Sequence, residues 1–84
     1  MDAYFEEELI DLFAYYLQNP NSQDLTSKKN RIIEIGRELY EDGGQDAMEN
    51  MFYPVSIRIK EEIGSDISKY RSWWNGISEG WNYH

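Results

Sequence analysis

The chain has no cysteine, a single histidine and no long apolar run. Without cysteine there is no disulfide, no thiol nucleophile and no thiolate metal ligand, a composition that fits a reducing compartment. The histidine is His84, at the end of the sequence, where a general base for a serine would be poorly held. No stretch approaches the roughly 20 apolar residues of a membrane helix, and the acidic start lacks the basic residues of a secretory signal. We therefore expect a cytoplasmic protein.

Positive charge is also scarce, with 8 Lys and Arg against 16 Asp and Glu and a net charge of −8. The two signs are segregated, because residues 28–37 hold four cations whereas residues 38–49 hold five carboxylates and no cation. Such a field repels phosphate and anionic lipid, which predicts no direct binding to nucleic acid or to a membrane. It favours a protein partner with a basic surface, although net charge also serves solubility alone.

The stretch from Arg31 to Ile59 carries two helical patterns separated by Gly43-Gly44. Before the glycines, the apolar residues that share one helix face are Ile32, Ile35 and Leu39. After them, the residues that share one face are Ala47, Met48, Met51, Phe52, Val55 and Ile59. Each pattern has the period of about 3.6 residues that predicts a helix with one buried stripe. Because glycine adopts positive φ without steric cost, the pair is predicted to end one helix and turn the chain back.

The remaining elements follow from similar signals. A first amphipathic helix is predicted over Asp2–Gln18 and is ended by Asn19-Pro20. The helix after the glycines is predicted to continue, kinked, through Pro54. A short fourth helix is predicted from Asp66 to Asn75, before a tail that carries Trp81 and Tyr83. With 84 residues the chain is one domain, 1–84, and we predict an all-α fold: a small helical bundle of three main helices, a short fourth and an aromatic C-terminal tail.

Two close contacts are predicted within this bundle. Gly36 falls on the buried side of the second helix, where the missing side chain would let a neighbouring element approach closely. Lys28, Lys29 and Arg31 stand at the start of the same helix, where its dipole disfavours cations. We expect the acidic first helix to pack beside them and offset this cost.

Two blocks of the sequence form a recognisable pattern. One is Ile35-Gly36-Arg37-Glu38-Leu39-Tyr40, followed by Gly43-Gly44 and Met48. The other is Trp74-Asn75-Gly76-Ile77, followed by Trp81. Together they resemble small bacterial helical proteins to which no activity is attached, although the spacing from Ile77 to Trp81 is longer than the resemblance leads us to expect. The resemblance implies a compact helical fold and says nothing about chemistry.

The residues that carry catalysis are missing. Gly43-Gly44 has neither the lysine nor the preceding strand of a phosphate-binding loop. Carboxylate oxygens that could converge at the glycine turn and hold Ca²⁺ or Mg²⁺ belong to Glu34, Glu38, Asp42 and Glu49. These lack EF-hand spacing, and solvated surface acids are the simpler interpretation. We predict that the protein is not an enzyme and has no cofactor, with Ca²⁺ or Mg²⁺ binding as an alternative.

The aromatic content is high for so small a chain, with 3 Trp, 7 Tyr and 3 Phe. Trp73, Trp74 and Trp81 either cover the open end of the core or form a patch for a partner. The leading hypothesis is a protein-binding module that occupies a partner's surface, in one version as an inhibitor, immunity or antitoxin protein. Its predicted contact residues are Glu38, Asp42, Asp46, Glu49, Trp73, Trp74 and Trp81. The alternative is a structural homodimer joined at the aromatic end.

Overall fold

A computed structural model describes residues 3–83 of the chain. It contains helix α1, Ala3–Gln18, helix α2, Leu25–Glu62, and a 3-10 helix, Ser68–Trp74. Within the described residues there is no strand, only an isolated bridge between Asn75 and Ser78. The all-α expectation is confirmed at this level, while the predicted positions at Asp2 and His84 lie outside the described residues.

Helix α2 is broken at the two glycines that the sequence marked as a turn. Gly43 and Gly44 have non-helical backbone angles, and Gly44 has a φ of 73°. A straight helix of 38 residues would be about 57 Å long, whereas the longest dimension of the molecule is 32 Å. The break therefore bends the chain sharply into an N-terminal arm, residues 25–42, and a C-terminal arm, residues 45–62.

Both arms contact the same turn of α1. Arg31 of the N-terminal arm binds Glu8, with distances of 2.6 Å from Nε to Oε2 and 2.9 Å from Nη2 to Oε1. Arg58 of the C-terminal arm binds Glu6, with 3.2 Å between Nη1 and Oε2. Because residues on both sides of the break meet one turn of one helix, the predicted return of the chain is confirmed. The contact with Glu8 confirms the expected acidic partner for Arg31, whereas Lys28 and Lys29 lie over the rings of Tyr15 and Trp73.

The C-terminal arm continues through Pro54 as predicted, since the only residues of α2 with non-helical backbone angles are Gly43 and Gly44, which precede the arm. Beyond its end the chain turns at Gly64, whose φ is 85°. The short helix that follows is a 3-10 helix and not the α-helix predicted over Asp66–Asn75. Its start is held by Asp66, whose Oδ1 accepts bonds from the Ser68 backbone N–H at 2.8 Å and hydroxyl at 2.6 Å. Local hydrogen bonds of this kind favour turns over regular α-helix.

The core lies where α1, both arms of α2 and the C-terminal segment meet. Its buried apolar members are Leu9, Ile10, Leu12, Phe13, Ile32, Ile35, Leu39, Ala47, Met48, Met51, Phe52, Val55, Ile59, Ile67, Trp74 and Trp81. Gly36 allows a close approach within the core, because a β-carbon built there would lie 2.5 Å from Nε1 of Trp74. The close contact predicted at Gly36 is thus confirmed, and the neighbour is an indole ring.

The tail folds back on the body through the side chain of Asn75. Its Nδ2 donates to the Tyr83 carbonyl at 2.7 Å, and its Oδ1 accepts from the Tyr83 N–H at 2.9 Å. Between these two residues, Trp81 turns into the core and donates from Nε1 to the carbonyl oxygen of Arg71 at 2.6 Å. The tail is therefore an integral part of the folded domain.

Candidate interaction surface

Two of the three tryptophans predicted to contact a partner are core residues. Trp74 is 0% exposed and Trp81 is 1% exposed, so neither can touch another molecule while the domain is folded. Trp73 is half-buried, stacked on Phe13 at 6.2 Å between ring centroids, with the Lys29 ammonium 5.2 Å from its own centroid. The predicted contact roles of Trp74 and Trp81 are therefore wrong, whereas a homodimer joined at the aromatic end stays a prediction.

Three arginines form ion pairs with seven glutamates among the described residues. Arg31 pairs with Glu8, Glu34 and Glu38; Arg58 pairs with Glu6, Glu7 and Glu62; Arg71 pairs with Glu49. The bond from Arg31 lowers the pKa of the Glu8 carboxyl, and the same pairing raises the pKa of the Arg31 guanidinium. Of the predicted contact residues, Glu38 and Glu49 are therefore engaged within the fold.

Glu49 has a structural role that the sequence did not reveal. Its two carboxylate oxygens accept two parallel bonds of 2.8 Å from Arg71. The guanidinium carbon of Arg71 lies 4.6 Å from the Phe52 ring centroid and 5.2 Å from that of Tyr83. Hydrogen bonding to Glu49 raises the pKa of Arg71, whose side chain is only 16% exposed. This pair joins the C-terminal arm to the 3-10 helix and the tail.

Asp42 and Asp46 remain open to solvent at the break in α2. Together with Glu41 they form what we call the acidic turn, and none of the three has an ion pair within residues 3–83. Arg37, one helical turn before Glu41, is the nearest cation along the N-terminal arm. Asp42 and Asp46 are thus the carboxylates of the predicted contact set that have no ion pair within the described residues.

The outer face of the C-terminal arm exposes apolar side chains. Tyr53 is 60% exposed and Ile57, one turn further along, is 39% exposed. The exposed residues that share this face at helical spacing are Asp46, Asn50, Tyr53, Ile57 and Glu61. The outer face therefore begins in the acidic turn and continues into apolar surface. The signal was present in the sequence, since Tyr53 and Ile57 lie out of phase with the buried stripe.

A small cleft opens beside the outer face. It has a volume of about 280 Å³ and is lined by Ser56, Ile57, Lys60, Glu61, Asp66 and Ser68. The Ser56 hydroxyl donates to the Tyr53 carbonyl at 2.6 Å, and the Ser68 hydroxyl donates to Asp66. The two hydroxyls are thus bound to a backbone carbonyl and to a carboxylate, and no histidine is among the described residues that line the cleft.

The four carboxylates considered for Ca²⁺ or Mg²⁺ do not converge. Glu34 and Glu38 share Arg31, and Glu49 binds Arg71. In the described part of the chain, no group of three or more His, Cys, Asp or Glu side chains is arranged to hold a metal ion. The metal-binding alternative consequently has no site here to build on.

Among residues 3–83, no helix combines the length and the apolar character needed to cross a bilayer. No protein-family model matches the chain, and comparison with curated proteins and with solved structures gives no match either. The resemblance noted in the two sequence blocks stays a prediction.

Proposed function

We propose that this protein is a small acidic protein-binding module that covers a basic surface of its partner with the outer face of the C-terminal arm. The observation that carries the proposal is the adjacency of two exposed apolar side chains, Tyr53 and Ile57, to the unpaired carboxylates of the acidic turn. Apolar side chains held in water on a rigid helix lose little conformational entropy when a partner covers them.

The two parts of this surface have different physical roles. Carboxylates without intramolecular partners attract a basic partner over about 10 Å at 0.1 M salt, which raises the rate of encounter. A tyrosine brings a large ring and a hydroxyl with few rotatable bonds, which makes it a frequent source of binding energy at interfaces. Asp42 and Asp46 therefore speed the encounter with a basic partner, and Tyr53 and Ile57 supply binding energy in the complex.

The specific form that we favour is an inhibitor, immunity or antitoxin protein that blocks a basic toxin or nuclease. Such a partner has a positive surface that evolved for nucleic acid or for a substrate, and an acidic protein of net charge −8 is complementary to it. Because Trp74 and Trp81 are buried, the proposed apolar contacts are those of Tyr53 and Ile57 on α2. The net charge of −8 still favours a basic partner.

The test is affinity capture from an extract of the source organism with the immobilised protein, at low and high salt, with mass-spectrometric quantification. We expect one basic protein to be enriched, and Tyr53→Ala to reduce its recovery by about tenfold, the effect of 1.4 kcal/mol. Asp42→Asn combined with Asp46→Asn should weaken the capture chiefly at low salt.

Matched controls lie on α1. Tyr4→Ala removes another exposed tyrosine and Asp11→Asn another exposed carboxylate, and both residues belong to α1 and not to the C-terminal arm. Neither should change recovery. Equal recovery with the native chain and with Tyr53→Ala, or binding that is indifferent to salt, would count against the proposal.

A further inference from the structure

The cleft beside Ile57 has dimensions that suit one side chain. It lies between the C-terminal arm and residues 66–68, and Ile57 belongs both to its wall and to the outer face. Small-molecule sites usually have volumes of about 300–1,000 Å³, and this cleft has about 280 Å³. A partner seated on Tyr53 and Ile57 would place its own side chains at the mouth of the cleft.

The cleft presents unpaired carboxylate oxygens. The Ser56 hydroxyl is engaged with the Tyr53 carbonyl, and Ser68 donates both of its groups to Oδ1 of Asp66. The second oxygen of Asp66 and the carboxylate of Glu61 have no hydrogen bond or ion pair within the described residues, and neither has the ammonium group of Lys60. The carboxylate oxygens can accept bonds from a ligand that donates.

The formal charge of the cleft also favours a cationic ligand. The two bonds from Ser68, helped by the nearby charge of Lys60, lower the pKa of the Asp66 carboxyl. Asp66 is therefore ionised at neutral pH. Lys60 is the only cation among the described lining residues, so the lining carries two negative charges against one positive charge.

We infer that this cleft takes an arginine side chain of the protein partner, an inference that rests on the proposed binding function. The methylene stem of an arginine can pack on Ile57 while its planar guanidinium donates in parallel to Asp66 and Glu61. A lysine offers a point charge without the paired donors, and an apolar side chain would desolvate both carboxylates without a bond in return.

The experiment is an NMR titration of the isotope-labelled chain with N-acetyl-L-arginine amide, and separately with the neutral isostere N-acetyl-L-citrulline amide. We expect saturable shifts of the backbone signals of residues 56–57, 60–61 and 66–68 with the arginine probe. The citrulline probe should bind at least about fivefold more weakly, because its bonds to carboxylate lack charge assistance. Equal binding of the two probes, or arginine shifts centred on the acidic turn, would overturn the inference.

A pair of variants completes the test. Glu61→Gln should weaken the arginine probe at least about fivefold, whereas Asp11→Asn on α1, which loses the same charge elsewhere, should leave it unchanged. Equal losses in the two variants would mean that arginine responds only to net charge. If capture of a partner depends on Tyr53 but no arginine enters the cleft, this inference fails and the proposed function stands. Selective arginine binding without any Tyr53-dependent partner would refute the function instead.

Discussion

The indole N–H of Trp74 donates a 2.9 Å hydrogen bond to the carbonyl oxygen of Ile32, forty-two positions earlier in the chain. This bond places the indole against Gly36, one helical turn beyond Ile32, where no side chain intervenes. The C-terminal segment is thereby locked onto the N-terminal arm of α2. Four predictions concern the contacts that stabilise the fold and therefore support the outer face of the C-terminal arm.

Gly36→Ala should destabilise the protein by about 2 kcal/mol, although alanine is the better helix former. The new β-carbon would lie 2.5 Å from Nε1 of Trp74, and the indole cannot withdraw without losing its bond to Ile32. Urea denaturation followed by circular dichroism measures the change. Asn30→Ala, an exposed position in the same arm, is the control and should be neutral or slightly stabilising. A Gly36→Ala variant as stable as the native chain would contradict the packing described.

Trp81→Ala should cost about 3–5 kcal/mol, because it empties a fully buried site in the core. Trp81→Phe keeps most of the ring and loses the bond to the Arg71 carbonyl, so its cost should be nearer 1–2 kcal/mol. Thermal unfolding by calorimetry can rank these variants against Trp73→Ala, which alters a half-buried ring and should be the mildest of the truncations. If Trp73→Ala proves more damaging than Trp81→Ala, the assignment of Trp81 to the core is wrong.

The bond between Arg31 and Glu8 should appear in the pH dependence of stability. The pKa of Glu8 is lowered in the fold from the ordinary value of 4.5. Its contribution is therefore fully present above about pH 4.5 and is lost as the pH falls through the folded-state pKa. We expect a contribution of about 1 kcal/mol, because both side chains are partly solvated.

Free energies of unfolding of the native chain and of Glu8→Gln, measured between neutral and acidic pH, isolate this contribution. The difference between the two proteins should shrink as the pH falls. Asp66, whose pKa is also lowered, titrates in both proteins and cancels in the comparison. A difference that stays constant with pH would show that Glu8 does not gain stability from its charge.

Arg71→Lys should destabilise the protein by about 2 kcal/mol and loosen the tail first. Lysine keeps the charge but cannot donate two parallel bonds to Glu49, nor lie flat beside the Phe52 ring. Hydrogen exchange at the Tyr83 amide, which is bonded to Asn75, reports on the tail. Arg37→Lys, an exposed substitution of the same kind, should change stability by less than about 0.5 kcal/mol. Identical exchange in the two variants would exclude a role for Arg71 in holding the tail.

The fold was predictable wherever a local pattern decided the outcome. The spacing of Ile32, Ile35 and Leu39 specifies one helix face, and Gly43-Gly44 supplies the conformations that the turn requires. The continuation through Pro54 followed from an apolar stripe that stays in phase. These signals depend on neighbours within a few residues, so the sequence alone contains them.

The candidate site was less predictable because it depends on contacts between distant residues. Nothing near Trp74 indicates that Gly36 leaves room for its ring, and nothing near Glu49 indicates that Arg71 binds it. Burial of the tryptophans and capture of Glu38 and Glu49 by arginines removed much of the predicted contact set. The exposure of Tyr53 could have been predicted, because this large side chain lies outside the helical spacing of the buried residues.

The amide of Asn75 serves the tail with both of its ends, one donating and one accepting. Its neighbour Gly76 has no side chain to hinder attack of the backbone nitrogen on the amide carbon. That attack expels ammonia and forms a cyclic imide, which water then opens to aspartate or isoaspartate. Aspartate would present an acceptor to the Tyr83 carbonyl, where a donor is needed. Deamidation of Asn75 should therefore release the tail from the body of the domain. Preparations stored for a long time should lose the bonds between Asn75 and Tyr83 before other contacts.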